Sequence, residues 1–247
     1  MDLQPVIRLR NLVTRFGERT ILDQIDLEFY RGQVTVILGG SGSGKTTLLK
    51  SIIGLVTPEE GEVEIFGERF DPSDESGTYA HLKRIGVLFQ NGALLNSISI
   101  LDNLAIPLEQ HTYLDAALIR QIGAVKLGMV GLDKAAHQLP SELSGGMRKR
   151  AALARAIALD PELLFCDEPS AGLDPLTSAA LDELLLTLRD QLDMSVVVVT
   201  HELASIHRIA DRIVFLHDGK ILFTGTVSEA RSCGVEQVDT FFRVGSF

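Results

Sequence analysis

Over the first ninety or so residues, apolar and polar positions change places in short blocks. Val6 to Val13 alternates with a period of two, as a half-exposed strand does, and Ile25, Leu27 and Phe29 repeat the pattern after a turn at 15–19. Val34 to Leu38 is apolar apart from one threonine and predicts a buried strand, and 62–67 predicts another that closes a small β-region. The stretch 71–78 is polar and acidic and reads as a solvated loop. Ile85 to Phe89 predicts a short core strand that delivers Gln90. From about Ile98 to Ala158 the period lengthens. Leu114, Leu118, Ile122, Val125 and Met129 recur at helical spacing, which predicts one apolar face turned inward. This region reads as a helical subdomain inserted into an α/β core. The core resumes with the apolar runs 163–166 and 196–199, as expected of parallel strands covered on both faces. Ile213–Leu216 and Ile221–Thr224 flank Asp218-Gly219, a hairpin signal, and a tail from Thr226 ends in Phe241, Phe242 and Phe247.

Between the Val34–Leu38 run and the helix that opens at Thr47 lies Gly39-Gly-Ser-Gly-Ser-Gly-Lys-Thr-Thr47. It fits G-x-x-x-x-G-K-[ST] through Gly39, Gly44, Lys45 and Thr46, and its strand–loop–helix setting is the one a phosphate-binding loop needs. Gly40, Ser41, Gly42 and Ser43 complete a backbone that can turn its N–H groups toward phosphate oxygens, with the helix N-terminus adding positive potential. Lys45 suits the β- and γ-phosphates, and the Thr46 hydroxyl suits Mg²⁺. The alternative is a flexible Gly/Ser linker, which would not need a buried strand on one side and a helix on the other. Nucleotide binding is the reading.

The bulk properties narrow the partners. A chain of 247 residues, 45% apolar and 23% charged, can bury a substantial core as an ordinary globular protein. Its net charge of −10 disfavours a nucleic-acid surface. Residues 1–10 lack the apolar stretch of a signal peptide, and no window approaches the ~20 apolar residues that span a bilayer. Cys166 and Cys233 are the only cysteines and lack a CxxC spacing, so neither a disulfide framework nor a zinc site is indicated. A reducing cytoplasm follows, with any membrane part supplied by a partner.

Asp167 and Glu168 end the 163–166 run, where one carboxylate could hold Mg²⁺ and its neighbour could polarise a water. Leu143-Ser-Gly-Gly-Met147 opens a helix predicted over 147–159. Ser144 is placed to cap it, with Gly145 and Gly146 leaving first-turn N–H groups uncovered. The phosphate loop, Gln90, Leu-Ser-Gly-Gly, Asp167-Glu168 and His201 in this order resemble the ATP-binding subunit of an ABC transporter over essentially the whole chain. The resemblance implies a P-loop NTPase (RecA-like) α/β core with a small antiparallel β subdomain and an inserted helical subdomain. It frames one domain over 1–247: core 1–90 and 159–226, helical subdomain 91–158 and tail 227–247. It implies an ATPase with ATP and Mg²⁺ as cofactors, Glu168 and His201 in catalysis, and Thr46, Gln90 and Asp167 on the metal. Phe16 would stack on adenine, a core phenylalanine being the other reading; for His201 the other reading is a core histidine. Ser144, Gly145 and Gly146 would bind the γ-phosphate held by a second copy. The 170–174 loop, ending at Asp174, would couple the two sites.

Within the family, 88–95, 102–112 and 140–155 look like the ATPases of MCE (Mla-type) lipid transporters. That resemblance implies a homodimer, a separate integral-membrane permease of the MlaE type, an MCE-domain lipid-binding protein and a small STAS-domain regulator, with no nucleic acid. It places the subunit peripherally on the cytoplasmic face of the inner membrane. Met147 stands where many relatives carry glutamine, and Ser170-Ala-Gly-Leu-Asp174 is closer to the general ABC pattern than to the Mla one. The short stretch after Phe242 implies that a long extension embracing the neighbouring subunit is missing or much shortened. Leu94 or Leu95, beside Gln90, is expected to stay partly exposed for a permease helix. Two other readings stay open: an assembly scaffold of the iron–sulfur biogenesis type, and the ATPase of an importer for another small solute. A chromosome-maintenance ATPase is excluded, because only about a hundred residues, without sustained heptads, separate phosphate loop and signature.

Overall fold

The computed structural model describes residues 4–71 and 74–244. It divides into two compact units: one runs to Leu82 and resumes at Ser195, and the other spans Lys83–Met194.

The first unit opens with β1 (Pro5–Phe16) and β2 (Arg19–Tyr30), an antiparallel hairpin turning at Gly17. The buried β3 (Val34–Leu38) runs into the glycine loop, and α1 (Lys45–Ile52) follows. β4 (Glu60–Ile65) pairs with β1 and with β5 (Glu68–Phe70), giving a four-stranded antiparallel sheet in the order β2-β1-β4-β5. The acidic stretch departs from the expected loop. Pro72 and Ser73 lie outside the described residues, but Glu75–Leu82 forms helix α2, with Thr78 N bonded to Asp74 O at 2.9 Å. Propensity is weak evidence over so short a run, and polar, acidic composition does not by itself exclude a helix.

In the second unit β6 (Ile85–Leu88) pairs in parallel with a strand that begins at Leu163 and leads to Gln90. Helices α3 (Ile100–His111), α4 (Ala116–Met129) and α5 (Gly145–Ala156) intervene before that partner, β7 (Leu163–Asp167), and the long α6 (Pro175–Leu192). The expected helical stripe proves rotated. Leu118 and Val125 are 40% and 63% exposed, while Ile119, Gly123, Lys126 and Leu127 are buried. The two faces share Ile122, which packs with Ala105, Leu108, Ile119 and Ala158. Gly123 settles the choice. A Cβ there would stand 2.8 Å from Leu101 Cδ1, so α3 lies against the glycine. Lys126 is buried on that face because it meets Asp160.

The first unit resumes with β8 (Ser195–Val199), α7 (Leu203–Ile209), β9 (Arg212–His217) and β10 (Lys220–Gly225). β3 pairs in parallel with both β8 and β9, and β10 closes the predicted hairpin antiparallel to β9. These buried parallel strands carry the glycine loop at their C-terminal edge, where α/β sheets bind ligands. The tail forms α8 (Val227–Ala230) and α9 (Glu236–Val244). It docks through aromatic rings: Phe241 stands edge-on to Phe215 at 5.6 Å, and Phe242 lies 6.0 Å from His207. Phe247, which ends the chain, is outside the described residues, as are Met1, Asp2 and Leu3. Both cysteines are free.

Candidate functional site

The site residues named from sequence fall into two sets, one in each unit. In the first, β3 ends at Leu38 and the chain turns at Gly39, whose φ is +149°. A Cβ there would stand 2.0 Å from the Leu216 carbonyl oxygen, so only glycine fits. Gly44, in the left-handed region, caps α1 without a side chain over the first-turn N–H groups. Lys45 Nζ donates to the carbonyls of Gly39 and Gly40, each at 2.9 Å, and so lies across the loop. Ser43 Oγ is buried and meets no hydrogen-bond partner among the described residues. A buried hydroxyl left this way is destabilising by itself. It suits a loop built to receive an oxygen-rich anion.

Phe16, at the end of β1, is 56% exposed, which removes the core reading. His201 follows β8 as an exposed residue, which removes the buried-histidine reading. It lines a cavity of about 680 Å³ with Gly40, Phe215, His217 and Phe241. Thr46 is exposed at the head of α1, and Thr47 is half-buried beside it.

In the second unit the turn after β6 presents Gln90 at the surface, held by a 2.8 Å bond from Gly92 N to Phe89 O. Ser144 is the N-cap of α5, accepting from Met147 N at 3.3 Å. Its helix starts at Gly145, two residues before the expected start. Asp174 caps α6, accepting from the Leu176 and Thr177 N–H groups at 3.1 Å each. A bond from the Thr177 hydroxyl, and then those from the backbone, hold its carboxyl below the usual range. Asp167 closes β7, and Glu168 follows with φ +47°. Gln90, Leu94, Gly145, Lys149, Ala171 and Leu173 line one cavity of about 390 Å³. The loop after β6, the start of α5 and the loop before α6 are thus assembled around one space.

Sequence reasoning missed three residues here. Lys149 is buried, with its ammonium on the carbonyls of Gln90 and Glu168. Burial pushes its pKa down, opposed by Glu168 and Asp167. Arg155, on the same helix, donates to Ala93 O at 2.7 Å and Gly92 O at 2.9 Å. Asn103, fully buried in α3, brackets Leu95. The available signal was a cation or amide on the otherwise apolar face of a helix.

This geometry is that of a known family. The model for the ABC transporter family matches residues 22–171. The ATP-binding protein MlaF of the intermembrane phospholipid transport system of Haemophilus influenzae is 45% identical, over 90% of this chain and 84% of its own. The chain belongs to the ABC transporter family. The MlaF of Escherichia coli K12 is 44% identical, over 90% of this chain and 82% of its own. Among solved structures, the dimeric post-hydrolysis state of an ATP-binding cassette bound to ADP and Pi matches with a TM-score of 0.80 at 32% identity. The match covers 90% of this chain and 98% of that one. This ABC subunit is therefore an ATPase with the mixed α/β cassette fold, and the activity and fold class expected from its motifs hold.

Proposed function

We propose that the chain is the ATP-hydrolysing motor of a lipid transporter. It acts as a pair bound to a separate integral-membrane permease and moves phospholipid or a related lipid. Its place is peripheral, on the cytoplasmic face of the inner membrane. The names carried by relatives at 44–45% identity support the substrate class. Among the described residues no helix is long and apolar enough to cross a membrane, so the path for the lipid would come from the partner. A permease of the MlaE type, an MCE-domain lipid carrier and a STAS-domain regulator complete this reading.

The observation that carries it is the loop after Gln90. Leu95 is 50% exposed. Its N–H donates to Asn103 Oδ1 at 2.7 Å, and Asn103 Nδ2 donates back to Leu95 O at 3.0 Å and to Ser99 O at 2.9 Å. An apolar side chain held outward by a buried amide is what the apolar face of a permease helix requires.

In hydrolysis, Lys45 and the N–H groups of residues 39–47 bind and orient the phosphates, and Phe16 offers its exposed face to adenine. The donor set suits Mg²⁺ rather than a softer ion. Of the residues that the family likeness assigns to the metal, Thr46 would offer a hydroxyl, Gln90 an amide oxygen and Asp167 a carboxylate, all hard oxygen donors. When bound, Mg²⁺ would supply neutralisation of phosphate charge. Glu168 accepts the proton of the attacking water, and His201 bonds the γ-phosphate. Ser144, Gly145 and Gly146 serve the nucleotide of the second copy, and Asp174 ends the loop that couples the two copies.

Purification from solubilised membranes, with identification of bound proteins and lipids, tests this function. An integral-membrane partner carrying phospholipid is expected. A partner that carries a different solute class, or recovery with soluble assembly factors alone, would contradict it.

A further inference from the structure

Glu168 is the residue after β7, and its φ of +47° lies where a side chain with a Cβ is disfavoured. Such a conformation persists only where the surroundings fix it. Two donors do so here. Ala171 N and Lys149 Nζ each reach the Glu168 carbonyl oxygen at 3.2 Å. Together they use the two lone pairs of that oxygen and set the peptide plane following Glu168. The same ammonium donates to the carbonyl of Gln90.

Lys149 is 9% exposed, and a lysine on a surface helix ordinarily leads its charge to water. Here the charge is turned inward onto two backbone carbonyls, a placement that is unfavourable unless its hydrogen bonds are good. Both carbonyls belong to residues of the hydrolytic machinery. Arg155 adds a second grip from the same helix, on Gly92 O and Ala93 O. Helix α5 therefore holds the backbone of residues 90–93 at three carbonyls and that of Glu168 at one.

We infer that Lys149 is a positioning residue for ATP hydrolysis: by holding the Glu168 carbonyl against the loop that starts at Gln90, it fixes the direction of the Glu168 carboxylate. The inference rests on Glu168 being the general base. Lys149 touches neither nucleotide nor water in this role. It sets the aim of the group that does, so its loss should slow turnover without weakening ATP binding.

The test compares steady-state hydrolysis by the full chain and by Lys149→Met, Lys149→Arg and Glu168→Gln. Methionine keeps the length and removes the donors. It should lower kcat about 10- to 100-fold with KM for ATP within about threefold, as misaiming at constant binding requires. Arginine keeps donors for both carbonyls, and the adjoining cavity of about 390 Å³ gives its larger head room. It should recover kcat to within about fivefold of wild type. A kcat for Lys149→Met within about twofold of wild type, a rise in KM at constant kcat, or an arginine variant as slow as the methionine one would each overturn the inference. If Lys149→Met yields no folded protein, Lys149→Gln, a neutral double donor, replaces it and should lower kcat about 3- to 10-fold with KM for ATP within about threefold, a kcat within about twofold of wild type overturning the inference. Failure of both to fold would make the residue a folding element and overturn the inference. Glu168→Gln separates the two levels. A hydrolysing Glu168→Gln defeats the reading of the base itself, whereas an inert Glu168→Gln beside a fully active Lys149→Met defeats the positioning role alone.

Discussion

Lys45 shows how closely a single side chain can be tied to chemistry. Its ammonium already lies across the loop on the carbonyls of Gly39 and Gly40. Moving onto phosphate exchanges neutral acceptors for charged ones, each worth about 1.5–3 kcal/mol in a charge-assisted bond. Lys45→Ala should therefore weaken ATP binding by about 100-fold or more; calorimetry showing unchanged affinity would remove the assignment. The loop, the two carboxylates and the signature glycines were legible because their chemistry needs fixed residue types at fixed spacing. Phe16 and His201 were legible only as choices between core and site, since an aromatic after a strand serves either. Their exposure removes the core alternative. Lys149 and Asn103 left only a weak signal, a cation or amide on an otherwise apolar helix face. A lysine or asparagine within a helix is ordinarily a solvated position, and only the packing reveals that both are buried.

The cap at Ser144 was readable, because a serine cap has a mechanism, whereas Asp174, expected only as the end of a coupling loop, proves also to cap a helix. Ser144→Arg would place a cation at the N-terminus of α5, where the macrodipole already repels one. ATP binding by the single subunit should persist, while ATP-dependent pairing and hydrolysis are lost. An ATP-induced, hydrolysing dimer of this variant would mean that the second copy does not use this helix end. Asp174 makes α6 sensitive to acid. Its carboxyl is held below its ordinary 3.8 by the Thr177 and Leu176 bonds. The unfolded chain is therefore the first to take up the proton as the pH falls. The cap's contribution is complete above 3.8 and disappears as the pH drops through the folded-state value. Melting temperatures at pH 5 and pH 3 should differ less for Asp174→Asn than for wild type, because the amide oxygen still accepts but does not titrate.

Helix faces were less readable than helix starts. On α4 two overlapping stripes both carry enough apolar residues, and Gly123 against Leu101 selects one through a close approach that periodicity does not encode. The Leu94/Leu95 stretch, in contrast, was expected to stay partly exposed, and Leu95 stands half exposed. Leu95→Glu should fold and bind ATP but fail to co-purify with a membrane partner, since an unpaired carboxylate buried in that contact costs several kcal/mol. Unfolding would assign Leu95 to the core, and normal assembly would move the contact elsewhere.

At the scale of the whole molecule, sequence order carried most of the fold. A strand leading into a glycine loop, a helical insert, and further apolar strands define an α/β cassette before any coordinate is known. The division into two units was less predictable. β6, β7 and α6 cluster with the helices α3–α5, because compactness follows spatial neighbours and not the boundaries of motifs. Each unit carries some of the residues proposed for the chemistry, the phosphate loop and His201 in one and Gln90, Asp167, Glu168 and the signature in the other. The claim on which everything else depends is that Glu168 is the base that turns ATP binding into hydrolysis by a pair of subunits. Glu168→Gln removes its proton-accepting capacity and little else. The most direct measurement combines ATP affinity, single-turnover hydrolysis and mass in solution for this variant in Mg²⁺-ATP. Wild-type affinity, hydrolysis slowed at least about 100-fold and accumulation of an ATP-bound dimer are predicted. Hydrolysis within a few-fold of wild type, or a variant that binds ATP and stays monomeric, would contradict it.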